Sequence, residues 1–173
     1  RFSCASTRWL SADQSLRRLR TQFIPVLLAL EKISEDASYP APDRARCRGL
    51  LRGLLKEDTP MVLVSVGLIL SKLAGLSLDF QSSHVDIAAS IAKTTVLIRD
   101  LETLANEQTL LAAVSEDVAQ LNRKLDENGL FPDPQKRRAA RPADTPVATS
   151  LTSYIHDIVV ELKARFKGDN KLL

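Results

Sequence analysis

Apolar residues recur at steps of three and four along most of the chain, which is the spacing of one face of an α-helix. The first such row runs from Leu16 to Ile33. Ser11, with Gln14 three residues later, resembles a capping box and predicts the start of this helix. Pro25 stands inside the row and is expected to kink the helix rather than end it, because it removes one backbone hydrogen bond.

Two shorter helices are predicted next. The second covers about 42–56, with Pro42 as a first helical residue. The third begins at residues 58–60 and is apolar on nearly every side, with Gly75 as its expected end. A helix without a polar face belongs in the centre of a fold. Lys72 leaves an uninterrupted apolar run of only about half the ~20 residues that cross a bilayer, so we expect a core helix and no transmembrane span.

The longest helix is predicted over about 83–127, because no Gly or Pro interrupts the three-four pattern before Gly129. Ser83 resembles a capping residue at its start, and the Asn128–Gly129 pair suits its C-terminal end. A continuous helix of about 45 residues would extend for roughly 67 Å. That length exceeds a compact domain of this size, so we expect a bend near 106–109 or a protruding end.

Residues 129–146 break the helical pattern with four prolines around a basic cluster. A connection of this length without its own apolar pattern is either a functional loop or a flexible one. A last helix is predicted from Pro146, with an apolar stripe from Val147 to Phe166 and an end at Gly168.

These elements predict an all-α fold, an irregular antiparallel bundle of about five helices. The chain has 173 residues, of which 45% are hydrophobic, so it is long enough to bury a core without disulfides or metals. We expect one helical domain over 12–173, preceded by an N-terminal arm over 1–11.

The sequence contains no constellation of residues that is typical of an enzyme. His84 and His156 are the only histidines, and no cysteine stands at zinc-ligand spacing from either. A Gly-rich phosphate loop and a nucleophile-elbow serine are also missing from the sequence. Cys47 is expected to be buried and inert. We therefore expect no catalytic residues, no metal and no cofactor.

Charge is strongly segregated along the chain although the net charge is only +3. Residues 1–56 hold eleven basic and five acidic residues, a net charge of +6. Residues 57–135 hold five basic and twelve acidic residues, and 136–173 hold eight and four, giving −7 and +4. The simplest expectation is internal neutralisation, with basic helices lying beside the acidic long helix.

Two basic clusters are candidate sites for a partner or an anion. The first is a row spaced four apart on the second helix, expected to lie opposite Cys47 and the leucines of that helix. Like charges at this spacing destabilise an isolated helix, and a counter-surface would remove that cost. Acids of this chain such as Asp100 and Glu107, a partner protein, anionic lipid, nucleic-acid phosphate or plain solvent are the alternatives. The candidate residues are Arg44, Arg48, Arg52 and Lys56 of the row, and Lys136, Arg137, Arg138 and Arg141 of the loop.

The opening residues suggest a compartment. Residues 1–11 contain two arginines, several hydroxyl residues and no acid, which is typical of an organellar transit segment. The alternative is an ordinary polar arm. A mitochondrial location is the first expectation and a plastid the second.

Two functions remain open on these observations. The leading hypothesis is a non-catalytic accessory subunit of a mitochondrial multiprotein complex, such as a respiratory or ATP synthase complex, that acts through helix–helix and charged-surface contacts. The alternative is a helical RNA- or DNA-binding protein, for example one associated with an organellar ribosome, that uses the basic row and the basic loop.

Overall fold

The computed structural model describes residues 5–81, 86–130 and 146–166 of the chain. Within those ranges there are six helices and no strand, so the predicted all-α bundle is confirmed. In chain order the helices are α1 (Ala5–Glu35), α2 (Ala41–Leu54), α3 (Thr59–Gln81), α4 (Ile87–Leu104), α5 (Glu107–Glu127) and α6 (Pro146–Phe166).

Helix α3 is the centre of the bundle, as its lack of a polar face predicts. It packs against α1, α4, α5 and α6, and its Ile69 and Leu73 are completely buried. Among the described helices it is also the one long and apolar enough to cross a membrane. A core helix passes the same test of length and composition, and in this fold four other helices surround α3.

Helix α1 is continuous past its internal proline. It buries Phe23 and Leu27 in the core and continues through Pro25 to Glu35, so the proline does not end the helix. Its start differs from the prediction. The helix already begins at Ala5, and Ser11 is a residue within it rather than its cap, so residues 5–11 of the expected arm are helical.

The predicted long helix is two helices, which corrects the count of five to six. Asn106 ends the continuity because its side chain accepts a hydrogen bond from the backbone N–H of Thr109 at 3.2 Å and caps α5. The break therefore falls at the predicted bend. Helix α4 is capped by Asp86, whose carboxylate accepts from the N–H of Ala89 at 3.0 Å, whereas the expected cap Ser83 lies outside the described residues.

The two glycines expected to end helices behave differently. Gly75 does not stop α3, which continues to Gln81 because burial on the far side of the glycine outweighs its weak helix propensity. Gly129 does terminate α5, with a left-handed φ of +66°. The N–H of Leu130 bonds the carbonyl of Leu125 at 3.0 Å, the six-to-one bond of a Schellman motif.

Helix α2 lies on the outside of the bundle. Its principal packing partner is α1, and none of its residues is buried. Pro40 precedes it and Pro42 stands in its first turn, as expected from the fixed φ of proline. The second basic cluster and the expected end at Gly168 fall in 131–145 and 167–173, outside the described residues.

Candidate functional site

The packed side of α2 contains one of the basic residues predicted to be exposed. Arg44, Cys47, Leu51 and Leu54 are all half-buried, and their spacing of three and four places them on the side toward the bundle. The Arg44 Nε atom is buried and has no hydrogen-bond partner. Arg44 was expected opposite Cys47, and this was wrong. It shares the face of Cys47, where its aliphatic stem contributes to packing.

The rest of the basic row turns progressively away from α1. A step of four residues advances roughly 40° around a helix, so a row that starts on the packed side moves toward solvent. Arg48 is exposed and donates from Nη1 to the backbone carbonyl of Ser34 at 3.4 Å. Arg52 is exposed in the last turn of α2, and Lys56 is exposed just beyond the helix, which ends at Leu54 rather than at the predicted residue 56. Neither side chain forms an ion pair or hydrogen bond with any residue that the structure describes.

The outermost side of α2 carries residues that the sequence analysis did not select. Arg46 is exposed, and Leu50 is 52% exposed although it was grouped with the apolar side of this helix. Gly49 and Gly53 lie beside them, and a Cβ added at either glycine would have no atom within 4 Å. The half-buried positions of α2 fix its rotation and place these four residues outward. No signal in the sequence gives that rotation, because it depends on the contacts of α2 with α1.

Six of the eleven described cations on the other helices form ion pairs, in contrast to those of α2. The described residues form six ion pairs, and none involves α2. Three link different helices at 2.8–2.9 Å between nitrogen and oxygen, and a fourth, Lys163–Glu102, joins α6 to α4. The three are Arg20–Asp117 (α1 to α5), Lys72–Asp100 and Lys93–Asp79 (both α3 to α4).

The expected internal counter-surface for the basic row is occupied by other groups. Asp100 binds Lys72, and Glu107 accepts a hydrogen bond from the Thr149 hydroxyl at 2.7 Å. The acidic region therefore neutralises Arg20 of α1, through Asp117, and forms no ion pair with the described cations of α2. Residues 41–56 contain five basic residues and one acid, a net charge of +4 that no ion pair within the described residues offsets.

The turn that leads into α2 holds a perturbed carboxyl group. The pKa of Asp36 is lowered from its ordinary value of 3.8, first by a hydrogen bond from the Ser38 side chain and then by one from the Ser38 backbone N–H. That N–H lies 2.8 Å from the Asp36 Oδ1 atom. The positive charges of Lys32 and Arg44 act in the same direction. This turn fixes the path of the chain between α1 and α2.

A shallow apolar groove lies between α3 and α4. Its volume is about 420 Å³, and Gly75, Leu76, Val96 and Leu97 form its apolar surface. The ion pairs Lys72–Asp100 and Lys93–Asp79 also line it, and each joins one helix to the other. The groove therefore lies between two ion pairs that join α3 to α4, and the charged side chains that line it are already paired.

A smaller cleft of about 170 Å³ lies where α1, α3 and α5 meet. Arg17 donates to the Ser71 hydroxyl at 2.8 Å, and Arg20 pairs with Asp117. The Arg20 side chain lies against Gly67 of α3, and its Cδ atom would be at van der Waals distance, 3.7 Å, from a Cβ at this position. These contacts tie α1 to its neighbours, and we assign them a structural role.

Chemistry-bearing side chains do not converge in the described part of the chain. No group of three or more His, Cys, Asp or Glu residues there is placed to hold a metal ion. His156 is exposed on α6, Cys47 is a half-buried free thiol, and His84 lies outside the described residues. The candidate cations Lys136, Arg137, Arg138 and Arg141 also lie outside them. The outer side of α2 combines unpaired cations with an exposed leucine and is the candidate interaction surface.

Comparisons with protein-family models, with characterised proteins and with solved structures yield no match for this chain.

Proposed function

We propose that this chain is a non-catalytic accessory subunit of a larger multiprotein complex in an organelle, with the mitochondrion as the first expectation. A respiratory or ATP synthase complex is a host of the right kind. The observation that carries the proposal is the state of α2. It is a basic helix on the outside of the bundle whose cations have no ion-pair partner among the described residues, whereas six of the eleven described cations on the other helices are paired.

The unpaired basic row is energetically unfavourable in the isolated chain. Like charges four residues apart on a helix are unfavourable by a few tenths of a kcal/mol per pair, roughly 0.2–0.5. Arg44, Arg48 and Arg52 form two such pairs in succession within α2. A partner surface that supplies carboxylates would turn this repulsion into charge-assisted hydrogen bonds, for which the planar guanidinium of arginine is well suited.

A protein partner fits this surface better than nucleic acid does. Single-stranded nucleic acids are held by aromatic stacking as well as by charge. No aromatic residue stands between Tyr39 and Phe80, and the exposed apolar side chain next to the cations is an aliphatic one, Leu50. An aliphatic side chain beside arginines is typical of a protein–protein contact with an apolar centre and a charged rim.

Size fractionation of the native protein tests the proposal. The organelle is extracted in mild detergent, and the extract is fractionated with and without nuclease while the 19.1 kDa chain is followed. Migration at high mass that nuclease leaves unchanged is the expected result. Collapse to the mass of the free chain after nuclease would establish the nucleic-acid alternative. Migration as a free monomer under both conditions would contradict the proposal.

The compartment is tested separately. The full chain is synthesised in vitro and incubated with isolated mitochondria, with and without a membrane potential, and protease then removes what has not been imported. We expect potential-dependent protection, because arginine-rich, acid-free segments are drawn toward a negative matrix. Replacement of Arg1 and Arg8 by Gln should reduce this protection. The same replacement at Arg99 and Arg123 is the control and should leave the protection unchanged. Import that is independent of the potential would count against the mitochondrial address.

A further inference from the structure

We infer that the outer face of α2 docks an acidic, amphipathic helix of a partner protein at close backbone approach. This outer face is defined by Arg46, Gly49, Leu50, Arg52 and Gly53. The inference rests on the proposed function and deepens it, since it names the surface that makes the contact and the chemistry of the segment it receives.

The rotation of α2 determines which residues meet a partner. Its half-buried positions include Cys47, Leu51 and Leu54, and α1 is its principal packing partner. At about 100° per residue, the direction opposite this packed side passes between Gly49 and Gly53, with Arg46 and Arg52 on its two flanks. All five residues of the outer face are exposed. A second helix laid on this side would contact them without displacing any described element.

Charge sets the first requirement on the occupant. Arg46 and Arg52 have no ion-pair partner among the described residues, and the single acid of α2 is Asp43 at its first turn, where it favours the helix dipole. Two arginines that flank a helix face call for carboxylates on both edges of whatever lies between them. Arginine binds a carboxylate through two parallel hydrogen bonds, which fixes orientation as well as charge.

The exposed leucine sets the second requirement. Leu50 is 52% exposed on a helix whose other leucines are half-buried. Leu50 lies beside Arg46, about 40° further around the helix from Arg52, and a phosphate backbone offers no apolar surface to a leucine at this position. An amphipathic helix does, since its apolar stripe lies between two polar edges. The combination therefore favours an acidic helix over nucleic acid.

The two glycines allow a short distance between the backbone of α2 and that of a partner helix. A glycine inside an exposed helix destabilises it relative to alanine, and α2 has two within 14 residues. In the isolated chain neither is required by a contact, because a Cβ at Gly49 or Gly53 would meet nothing within 4 Å. Glycine is the residue that allows another backbone to approach closely. A partner helix lying across both positions supplies the contact that the isolated chain lacks.

Alanine at the two glycines gives effects of opposite sign on stability and on assembly. Gly49→Ala and Gly53→Ala should each raise the Tm of the purified chain by about 2–4 °C, because helix propensity improves without a clash. The same substitutions should lower incorporation into the native complex by about tenfold or more, since a methyl group intrudes into a close contact. Incorporation is measured against differently tagged wild type in the same extract.

A matched control is available on α3. Gly75 is also exposed, lies inside a helix and has open space where a Cβ would stand. Gly75→Ala should raise the Tm to a similar degree and leave incorporation unchanged. The inference would be overturned if all three variants raised the Tm and all three were incorporated as well as wild type. The proposed function would stand in that case, because the chain would still be in the complex.

Cross-linking identifies the chemistry of the occupant. Leu50 is replaced by a photo-reactive benzoylphenylalanine, the native complex is irradiated, and the attached peptide is sequenced by mass spectrometry. We expect a segment of another protein in which acidic residues outnumber basic ones, with apolar residues at helical spacing. A cross-link to nucleic acid, to a second copy of this chain or to a segment without excess acid overturns the inference, as does no cross-link from a chain that migrates in the complex.

Charge reversal completes the test. Arg46→Glu combined with Arg52→Glu should abolish incorporation, whereas Arg123→Glu on the exposed side of α5 should leave it unchanged. If the unaltered chain itself migrates as a free monomer, the proposed function fails and the inference falls with it. If the unaltered chain is in the complex and the α2 variants are incorporated as well as it is, the inference fails and the proposed function stands.

Discussion

Helix α2 and the α3–α4 pair solve the placement of charged residues in opposite ways. Across α3 and α4, Lys72 and Lys93 each meet an aspartate of the facing helix at 2.8–2.9 Å. On α2, Arg46 and Arg52 meet no described acid, although this helix is the richer in charge. The difference follows from topology, since α3 has neighbours on several sides and α2 packs mainly on one.

The contrast shows how much of a charge pattern a small bundle can satisfy internally. An ion pair needs a facing helix with an acid at the same level, and no described acid lies within ion-pair distance of the α2 cations. Exposed ion pairs contribute only about 0–1 kcal/mol each, so leaving α2 unpaired does not prevent folding. It leaves a surface whose electrostatic interactions are still available to a partner.

The largest expected difference between the two regions is in apolar side chains. Leu73→Ala in α3 removes a completely buried side chain at the centre of the bundle and should destabilise the protein by about 2–5 kcal/mol. Leu50→Ala in α2 removes a side chain that is 52% exposed and should change stability by no more than about 0.5 kcal/mol. Urea unfolding of both variants measures this. Equal losses would mean that α2 is part of the core.

Glycine substitutions should have opposite signs in the two kinds of helix position. Gly129→Ala at the end of α5 forces a left-handed φ of +66° on a residue with a Cβ and should cost about 1–2 kcal/mol. Gly53→Ala inside α2 should stabilise by roughly 0.5–1 kcal/mol. Thermal unfolding of the purified variants gives the signs. Destabilisation by Gly53→Ala would show that this glycine is required within the chain itself.

Charge reversal should separate paired from unpaired cations. Lys72→Glu places a carboxylate beside Asp100 and should destabilise by about 1 kcal/mol at low salt. Arg52→Glu gains a favourable pair with Arg48, roughly 0.2–0.5 kcal/mol, but it removes the cation from the last turn of α2, so it should change stability by no more than about 0.5 kcal/mol. Added salt should shrink both effects. A loss for Arg52→Glu equal to that of Lys72→Glu would contradict the unpaired state of α2.

The bundle and its central helix were predictable from the sequence, and the places where prediction failed have identifiable causes. The break before α5 had a local signal, since Asn106 is a favoured capping residue and is followed by an acid in the first turn of the new helix. Gly75 was misleading because tertiary burial on both sides of it overrides propensity. Ser11 was misleading because a capping pattern also occurs within helices.

The candidate surface was only half predictable. A four-residue spacing identified a basic row, but the row rotates around the helix, and spacing alone does not say which end faces the bundle. Arg44 went to the packed side because a long aliphatic stem can replace an apolar residue there. Leu50 went to the solvent side because Leu51 and Leu54 already complete the face toward the bundle. Both assignments needed the rotation of α2, which only the tertiary contacts provide.

The smallest effect concerns the turn that carries the chain from the core to α2. Ser38→Ala removes the hydroxyl that chiefly lowers the pKa of Asp36, so this pKa should rise toward 3.8, as an NMR titration of the carboxyl carbon would measure. A carboxyl whose pKa is lower in the folded state contributes stability above pH 3.8, and the contribution disappears as the pH falls through the folded value. The variant should thus unfold more readily at neutral pH and differ less from wild type in strong acid. An unchanged pKa would mean that the backbone N–H and the nearby cations suffice, and that the turn holds α2 in place without the serine.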